Sequence, residues 1–258
     1  RIEVAGAAVA TVSAQFVVMF VMMVGVFRSK KEENVLKGIR LFEPFSKEEL
    51  GNICKIGGPT AIQGMVYCMI SMVLTRMVAA FGAEAIATQR VGGQIESVSW
   101  NTADGFAAAL NAFVGQNYGA KKMDRVQKGY RISFWTVAIW GALIMLAFII
   151  FPGPIAGVFF HEEKAMEIAI SYLIIIGFSE AFMCVELMTI GALSGLGKTK
   201  LCSVISITAT SMRIPLAMVL SRTSLGLDGI WWAMSLTSVV KGIIFTIVFH
   251  RITHNGRS

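Results

Sequence analysis

Histidine is scarce in this chain: three in 258 residues, His161, His250 and His254, all at the ends of apolar stretches or in the tail. With no histidine cluster, no nucleophile beside a base and no nucleotide-binding glycine loop, the sequence offers no machinery for a membrane-embedded enzyme. The four cysteines, Cys54, Cys68, Cys184 and Cys202, have neither paired nor metal-ligand spacing. All but Cys54 fall in or at the edge of apolar stretches, where a small apolar side chain is explanation enough, so neither a disulfide framework nor a metal centre is expected. Charge is thin as well, at 15% of residues against 55% hydrophobic. That balance, with apolar runs from the first residues to the last, excludes an ordinary globular core and places the chain in a bilayer. The net charge of +7 does not imply nucleic acid, because Lys and Arg are interleaved between the apolar runs instead of gathered on one face, and no nucleic-acid motif accompanies them.

What is present is a series of seven apolar stretches, approximately Val4–Phe27, Ile56–Phe81, Gln89–Val114, Ile132–Phe151, Ala165–Leu193, Leu201–Leu220 and Gly229–His250. Each is long enough to cross a hydrocarbon layer of about 30 Å at 1.5 Å per residue. Val4–Phe27 and Ile132–Phe160 contain no charged residue at all. The expected fold is therefore all-α: a polytopic helical membrane protein of about seven transmembrane helices. Alternate connections are basic, the first from Arg28 to Lys55, the third from Lys121 to Arg131, the fifth at Lys198 and Lys200, and then the tail. The positive-inside rule puts these in the cytoplasm and the others, around Glu84, His161–Lys164 and Arg222–Asp228, outside. Trp231 and Trp232, and at the opposite side Tyr130 and Trp135, are placed as an interfacial aromatic belt. Ser46-Lys47-Glu48-Glu49 reads as a capping box that starts a short interfacial helix before Gly57-Gly58-Pro59.

Four acids stand inside these stretches: Glu96, Asp104, Glu180 and Glu186. A carboxylate in hydrocarbon costs several kcal/mol unless it is paired, protonated or facing water, so such residues mark an ion or substrate path by default. Glu96, Trp100 and Asp104 follow at four-residue steps along one gently rotating helix face, with Gln89, Gly93 and Asn111 near the same stripe. In a water-filled cavity a proton and a cation compete for such a carboxylate, which is the physical basis of antiport. Glu180 and Glu186 are six residues apart and point to different sides of their helix, so one of them is expected to face the interior; Glu186 has the alternative of snorkelling to the cytoplasmic side. Arg213, ahead of Pro215 in an otherwise uncharged stretch, is expected either to pair with Glu180, Glu186 or Asp104 or to snorkel outward, and Pro215 to bend its helix. Gly115-x-x-x-Gly119 and Gly191-x-x-x-Gly195 lie at stretch ends, where close turns are the expected explanation.

Several motifs together resemble one family. Phe81-Gly82-Ala83-Glu84-Ala85-Ile86-Ala87-Thr88 is followed by a polar stretch and then by Ala112-Phe113-Val114-Gly115-Gln116-Asn117-Tyr118-Gly119-Ala120-Lys121-Lys122. Gly58-Pro59, the run Gly191-Ala192-Leu193-Ser194-Gly195-Leu196-Gly197-Lys198-Thr199 and Met212-Arg213-Ile214-Pro215-Leu216 complete a series that resembles, in family order, the multidrug and toxic compound extrusion (MATE) transporters. The resemblance implies that residues 1–27 are the last helix of an amino-terminal lobe otherwise missing from this sequence. Residues 28–55 would then be the cytoplasmic inter-lobe linker, 56–250 the six-helix carboxyl-terminal lobe of an alternating-access transporter and 251–258 a cytoplasmic tail. It also favours the helix bearing Glu180 and Glu186 as carrier of a functional carboxylate. Some family branches have an acid in the stretch corresponding to Ile56–Phe81; here none lies between Glu49 and Glu84, and Gln63 and Tyr67 are the polar occupants.

The function expected on these grounds is secondary active export of amphipathic, cationic small molecules in exchange for H+ or Na+. Substrate and cation would be handled by Glu96, Trp100, Asp104, Glu180, Glu186, Gln63 and Tyr67, with no cofactor beyond the coupling ion. The expected partners are the bilayer of the inner or plasma membrane, a small-molecule substrate and the amino-terminal lobe. The alternative is a flippase for a lipid-linked or polysaccharide precursor, which would need a more basic cavity for phosphate, whereas the candidate cavity residues here are mostly acidic.

Overall fold

The computed structural model describes residues 2–28 and 46–255, so most of the expected linker and the last residues of the tail lie outside the described residues. The chain divides into two compact units, Arg1–Leu50 and Gly51–Ser258. The first contains helix α1, Ile2–Arg28, whose window Ala8–Gly25 is free of charge and long and apolar enough to cross a membrane.

The second unit is built almost wholly by α2 (Lys47–Ala79), α3 (Ala83–Gly119), α4 (Met123–Ile150), α5 (Pro152–Gly157), α6 (Glu163–Gly195), α7 (Thr199–Ser211), α8 (Arg213–Leu220) and α9 (Leu227–Asn255). Among the described residues six helices are long and apolar enough to cross a membrane, α7 and α8 counting together. Helix α3, at 37 residues, has ample length but is diluted by its acids, amides and Arg90; with it the expected seven crossings are accounted for.

Local sequence explains where the helices start and break. The Glu49 backbone N–H donates to Ser46 Oγ at 3.1 Å and the Ser46 N–H donates to Glu49 Oε2 at 3.2 Å, the reciprocal bonds of a capping box. The helix it opens is not a short interfacial one. It runs through Gly57, Gly58 and Pro59 without interruption as part of the 33-residue α2, because one proline removes a single hydrogen bond that the rest of a long helix absorbs. Pro215 does break its helix: α7 ends at Ser211, the residue whose carbonyl would have bonded the missing N–H four positions on, and α8 begins at Arg213. Gly82 (φ 113°) and Gly197 (φ 72°) make the turns before α3 and α7 in conformations that favour glycine.

Helix α6 is the centre of the unit. It packs on α3, α4 and α9, and buried side chains run along most of its circumference from Ala165 to Leu193, leaving Phe178 and Phe182 exposed. Small residues allow the close approach. A Cβ on Gly191 would overlap the Ala107 carbonyl oxygen of α3, and one on Gly195 would stand 2.6 Å from Asn111 O. On the other flanks a Cβ on Gly141 of α4 would come within 2.7 Å of Ala181 Cα, and one on Gly242 of α9 within 2.7 Å of Phe182 O. Gly191-x-x-x-Gly195 is thus a helix-packing seam, correcting the expectation of a turn motif. Gly191→Ala is expected to destabilise the protein by about 1–3 kcal/mol through overpacking, although helix propensity alone favours alanine by about 1 kcal/mol. Thermal melting of the purified variant beside Gly105→Ala, where a Cβ meets nothing within 4 Å, gives the sign; equal stabilisation of both would contradict the seam.

Two residues expected in an aromatic belt are core residues. Trp231 is fully buried and meets the Tyr172 ring edge-on at 5.0 Å. Tyr130 stacks on Phe249 at 3.7 Å and shares a 3.0 Å hydrogen bond with Thr189. Trp135 remains exposed, as an interfacial residue would.

Candidate functional site

Helices α2, α3, α6, α7, α8 and α9 line an open cavity of about 1110 Å³. Gln63 and Tyr67 reach it from α2, Glu96 and Trp100 from α3, and Glu186 from α6. Met72, Met183 and Met234 supply deformable wall.

On one side of the cavity stands an acidic pair. Gly92, lacking a Cβ, lets the Tyr172 ring lie directly against the α3 backbone, where any side chain at 92 would overlap it. The ring so placed delivers its hydroxyl to Glu96 Oε1, one helical turn further on. Trp231 holds the other edge of that ring. Glu180 lies behind this wall, two turns along α6 from Tyr172. It is fully buried, and neither carboxyl oxygen has a hydrogen-bond partner among the described residues. Glu96, Tyr172 and Ser99 are its electrostatic neighbours, and the Ser99 hydroxyl is itself 3.2 Å from Cys184 Sγ. Two electrostatically coupled carboxyls in low dielectric would need a shared proton or cation, since two bare charges would repel and neither could be solvated.

The opposite side is basic. Arg213 donates from Nε to Thr237 Oγ1 at 2.9 Å and from Nη2 to Ser238 Oγ at 2.8 Å. It neither snorkels nor pairs with Glu180, Glu186 or Asp104, because its position in the first turn of α8 directs it onto α9, whose hydroxyls receive it. Lys241 is the residue that pairs, with Glu186 Oε1 at 2.8 Å, both side chains buried. Glu186 is therefore drawn inward and does not snorkel. Both acids of α6 are interior, against the expectation that only one would be: Glu180 is fully buried, Glu186 is held by Lys241, and the exposed stripe of the helix is taken by Phe178 and Phe182. Arg76 and Arg90 also line the cavity, so four cations face it against the two carboxylates Glu96 and Glu186. The expectation of a mostly acidic lining is corrected.

Asp104 does not join the site. It is exposed and outside the cavity lining. Steps of four residues advance about 400°, so after two steps the stripe has rotated by about 80° and risen by about 12 Å. Trp100 is still within reach after one step. Tyr172 and the Arg76 and Arg90 contributions were missed in the sequence. The available signal for Tyr172 was a lone phenol in the apolar run Ile168–Phe178.

Away from the cavity, Glu84 at the start of α3 meets Lys164 of α6 at 3.6 Å. A hydrogen bond to its own backbone N–H, then the Lys164 charge, hold the Glu84 carboxyl below its usual range.

A bundle of long apolar helices around a large cavity lined with titratable side chains is the architecture of a multi-pass membrane protein. The chain belongs to the MatE family, whose profile matches residues 59–219. It is 29% identical over 252 residues to the probable multidrug resistance protein NorM of Thermotoga maritima, covering 95% of this chain and 53% of that protein. It is 26% identical to the probable multidrug resistance protein YoeA of Bacillus subtilis, covering 90% and 50%. The chain thus spans about half the length of the curated relatives it matches. Among solved structures, a mutant of the Vibrio cholerae MATE transporter VcmN superposes with a TM-score of 0.78 at 20% identity, covering 97% of this chain and 56% of that one. A MOP superfamily transporter from Pyrococcus furiosus, described as having a binding pocket of reverse polarity, superposes with a TM-score of 0.76 at 20% identity, covering 85% and 50%.

Proposed function

We propose that the chain forms a cation-coupling lobe of a secondary active exporter of amphipathic small molecules, cationic drugs among them, in the inner or plasma membrane. The observation that carries the reading is the Glu96–Tyr172–Glu180 group at the wall of the cavity. H+ or Na+ entering at the acidic pair would replace whatever the pair already shares, and substrate would occupy the cavity in front of it. Alternating access in such folds rocks one helix bundle against another around a central site, so an amino-terminal lobe is the partner this reading requires. Basic connections would face the cytoplasm, as their charge alternation suggests.

Inverted vesicles containing the full-length protein, with a cationic dye in the bath and a proton gradient or a sodium gradient imposed separately, test the reading. Dye movement is expected with one gradient and not with the other, and absence of movement with both would reject gradient-driven export. One observation favours the flippase as a second reading: the four cations lining the cavity against two carboxylates. In that case lipid-linked phosphate, and not dye, would be the species whose movement the protein accelerates.

A further inference from the structure

The geometry points to a binding subsite for an anionic group, a phosphate or carboxylate on an organic substrate, at Arg213 on the α8–α9 side of the cavity. The inference rests on the export reading and names part of the substrate that its cavity would accept.

The subsite is built from buried groups with bonding capacity to spare. A guanidinium has five N–H donors, of which Arg213 commits two, to Thr237 and Ser238. The others find no partner among the described residues, although the side chain is 7% exposed and lines the cavity. No carboxylate among the described residues lies within ion-pair distance of it. Ser238 and Lys241 stand one turn apart on α9, and the charges of Lys241 and Arg213 interact. Lys241 is neutralised by Glu186, so the cluster retains one net positive charge, on Arg213. From α7, Ser206 lines the cavity at 4% exposure, and its hydroxyl has no hydrogen-bond partner among the described residues. Glu96 is the carboxylate whose charge Arg213 acts on, but it lies beyond ion-pair distance, so the guanidinium keeps spare donors for a ligand, and Arg with a hydroxyl on the same cavity wall can receive a planar carboxylate or a phosphate oxygen. Glu186, which also lines the cavity, keeps one unpartnered oxygen, Oε2. It would repel a fully charged dianion and favour a singly charged group or one that brings a hydrogen-bond donor, as a protonated phosphate does.

Equilibrium binding to the purified full-length protein tests this without any gradient, so failure here and failure of gradient-driven export are separate results. The probe is phenyl phosphate, with phenyltrimethylammonium as its charge-reversed twin, titrated by calorimetry in phosphatidylcholine nanodiscs. The parental protein is expected to bind phenyl phosphate about tenfold more tightly than the twin, and Arg213→Gln to weaken it by about 10- to 100-fold while leaving the twin unchanged. Ser206→Ala, which removes no bond the protein makes for itself, is expected to weaken phenyl phosphate a few-fold with an unchanged melting temperature. If Arg213→Gln does not fold, Ser206→Ala and Arg213→Lys decide. Parental affinity in both overturns the subsite and leaves Arg213 as a tie between α8 and α9, as does parental affinity in a folded Arg213→Gln or no binding by the parental protein. Competition from phosphatidic acid added to the nanodiscs would identify the natural anion as a lipid headgroup, and its absence a soluble organic anion; both sustain the subsite.

Discussion

Glu180→Gln in the full-length protein is expected to reduce gradient-driven dye efflux to the level of protein-free vesicles, with the protein still folded and inserted. The substitution keeps size and removes the titratable charge. Because neither Glu180 oxygen makes a hydrogen bond among the described residues, no structural bond is lost with it. What is lost is one of the two carboxyls that could hold a proton or cation between them. Glu96→Gln is expected to act in the same direction, with a smaller cost to the fold than its position suggests, since a Gln carbonyl oxygen still accepts from the Tyr172 hydroxyl. Asp104→Gln supplies the contrast. It belongs to the same sequence stripe but lies outside the cavity, and efflux within about twofold of parental is expected because no bond or cavity contact is removed. Parental efflux by both Glu96→Gln and Glu180→Gln under an imposed gradient would make the pair structural and leave the coupling ion to another site.

The difference between Glu96 and Asp104 shows what the sequence could and could not reveal. Helical periodicity told which residues neighbour each other over one turn, and Glu96, Trp100, Gln63 and Tyr67 do line the cavity. Over two turns the accumulated rotation outruns the width of one face. Helix ends were legible where chemistry is local, as in the Ser46–Glu49 box and the break four residues before Pro215. Helix α6 was not. A stretch apolar on all sides reads equally well as a lipid-facing helix and as one enclosed by protein, so the inward turn of both Glu180 and Glu186 had no sequence contrast to reveal it. The same enclosure turned Gly191 and Gly195 from apparent turn residues into packing contacts. Partners far apart in the chain were equally hidden: nothing near Arg213 announces Thr237 and Ser238, and nothing near Glu186 announces Lys241. The polarity of the cavity follows from those long-range pairings, which is why an inventory of intramembrane acids predicted the wrong sign.

Lys241→Met is expected to destabilise the protein by about 3–5 kcal/mol, because it leaves the Glu186 carboxylate buried and unpaired. Melting of the purified variant should show a fall of many degrees or a loss of monodisperse protein. Glu186→Leu is expected to fail in the same way from the other side, stranding the ammonium group, which lies 2.8 Å from its partner in the intact pair. The double variant Glu186→Leu/Lys241→Met is expected to recover most of the stability, since well-packed apolar groups of similar volume often replace a buried pair at no net cost. If the double variant melts as low as either single one, the two side chains contribute separately and the pair is not the unit that joins α6 to α9. A stable double variant also separates structure from transport. Its cavity would lose one cation and one carboxylate with no change in net charge, so a drop in efflux at parental stability would assign the pair a direct part in holding substrate, whereas parental efflux would leave it as the pin between the two helices.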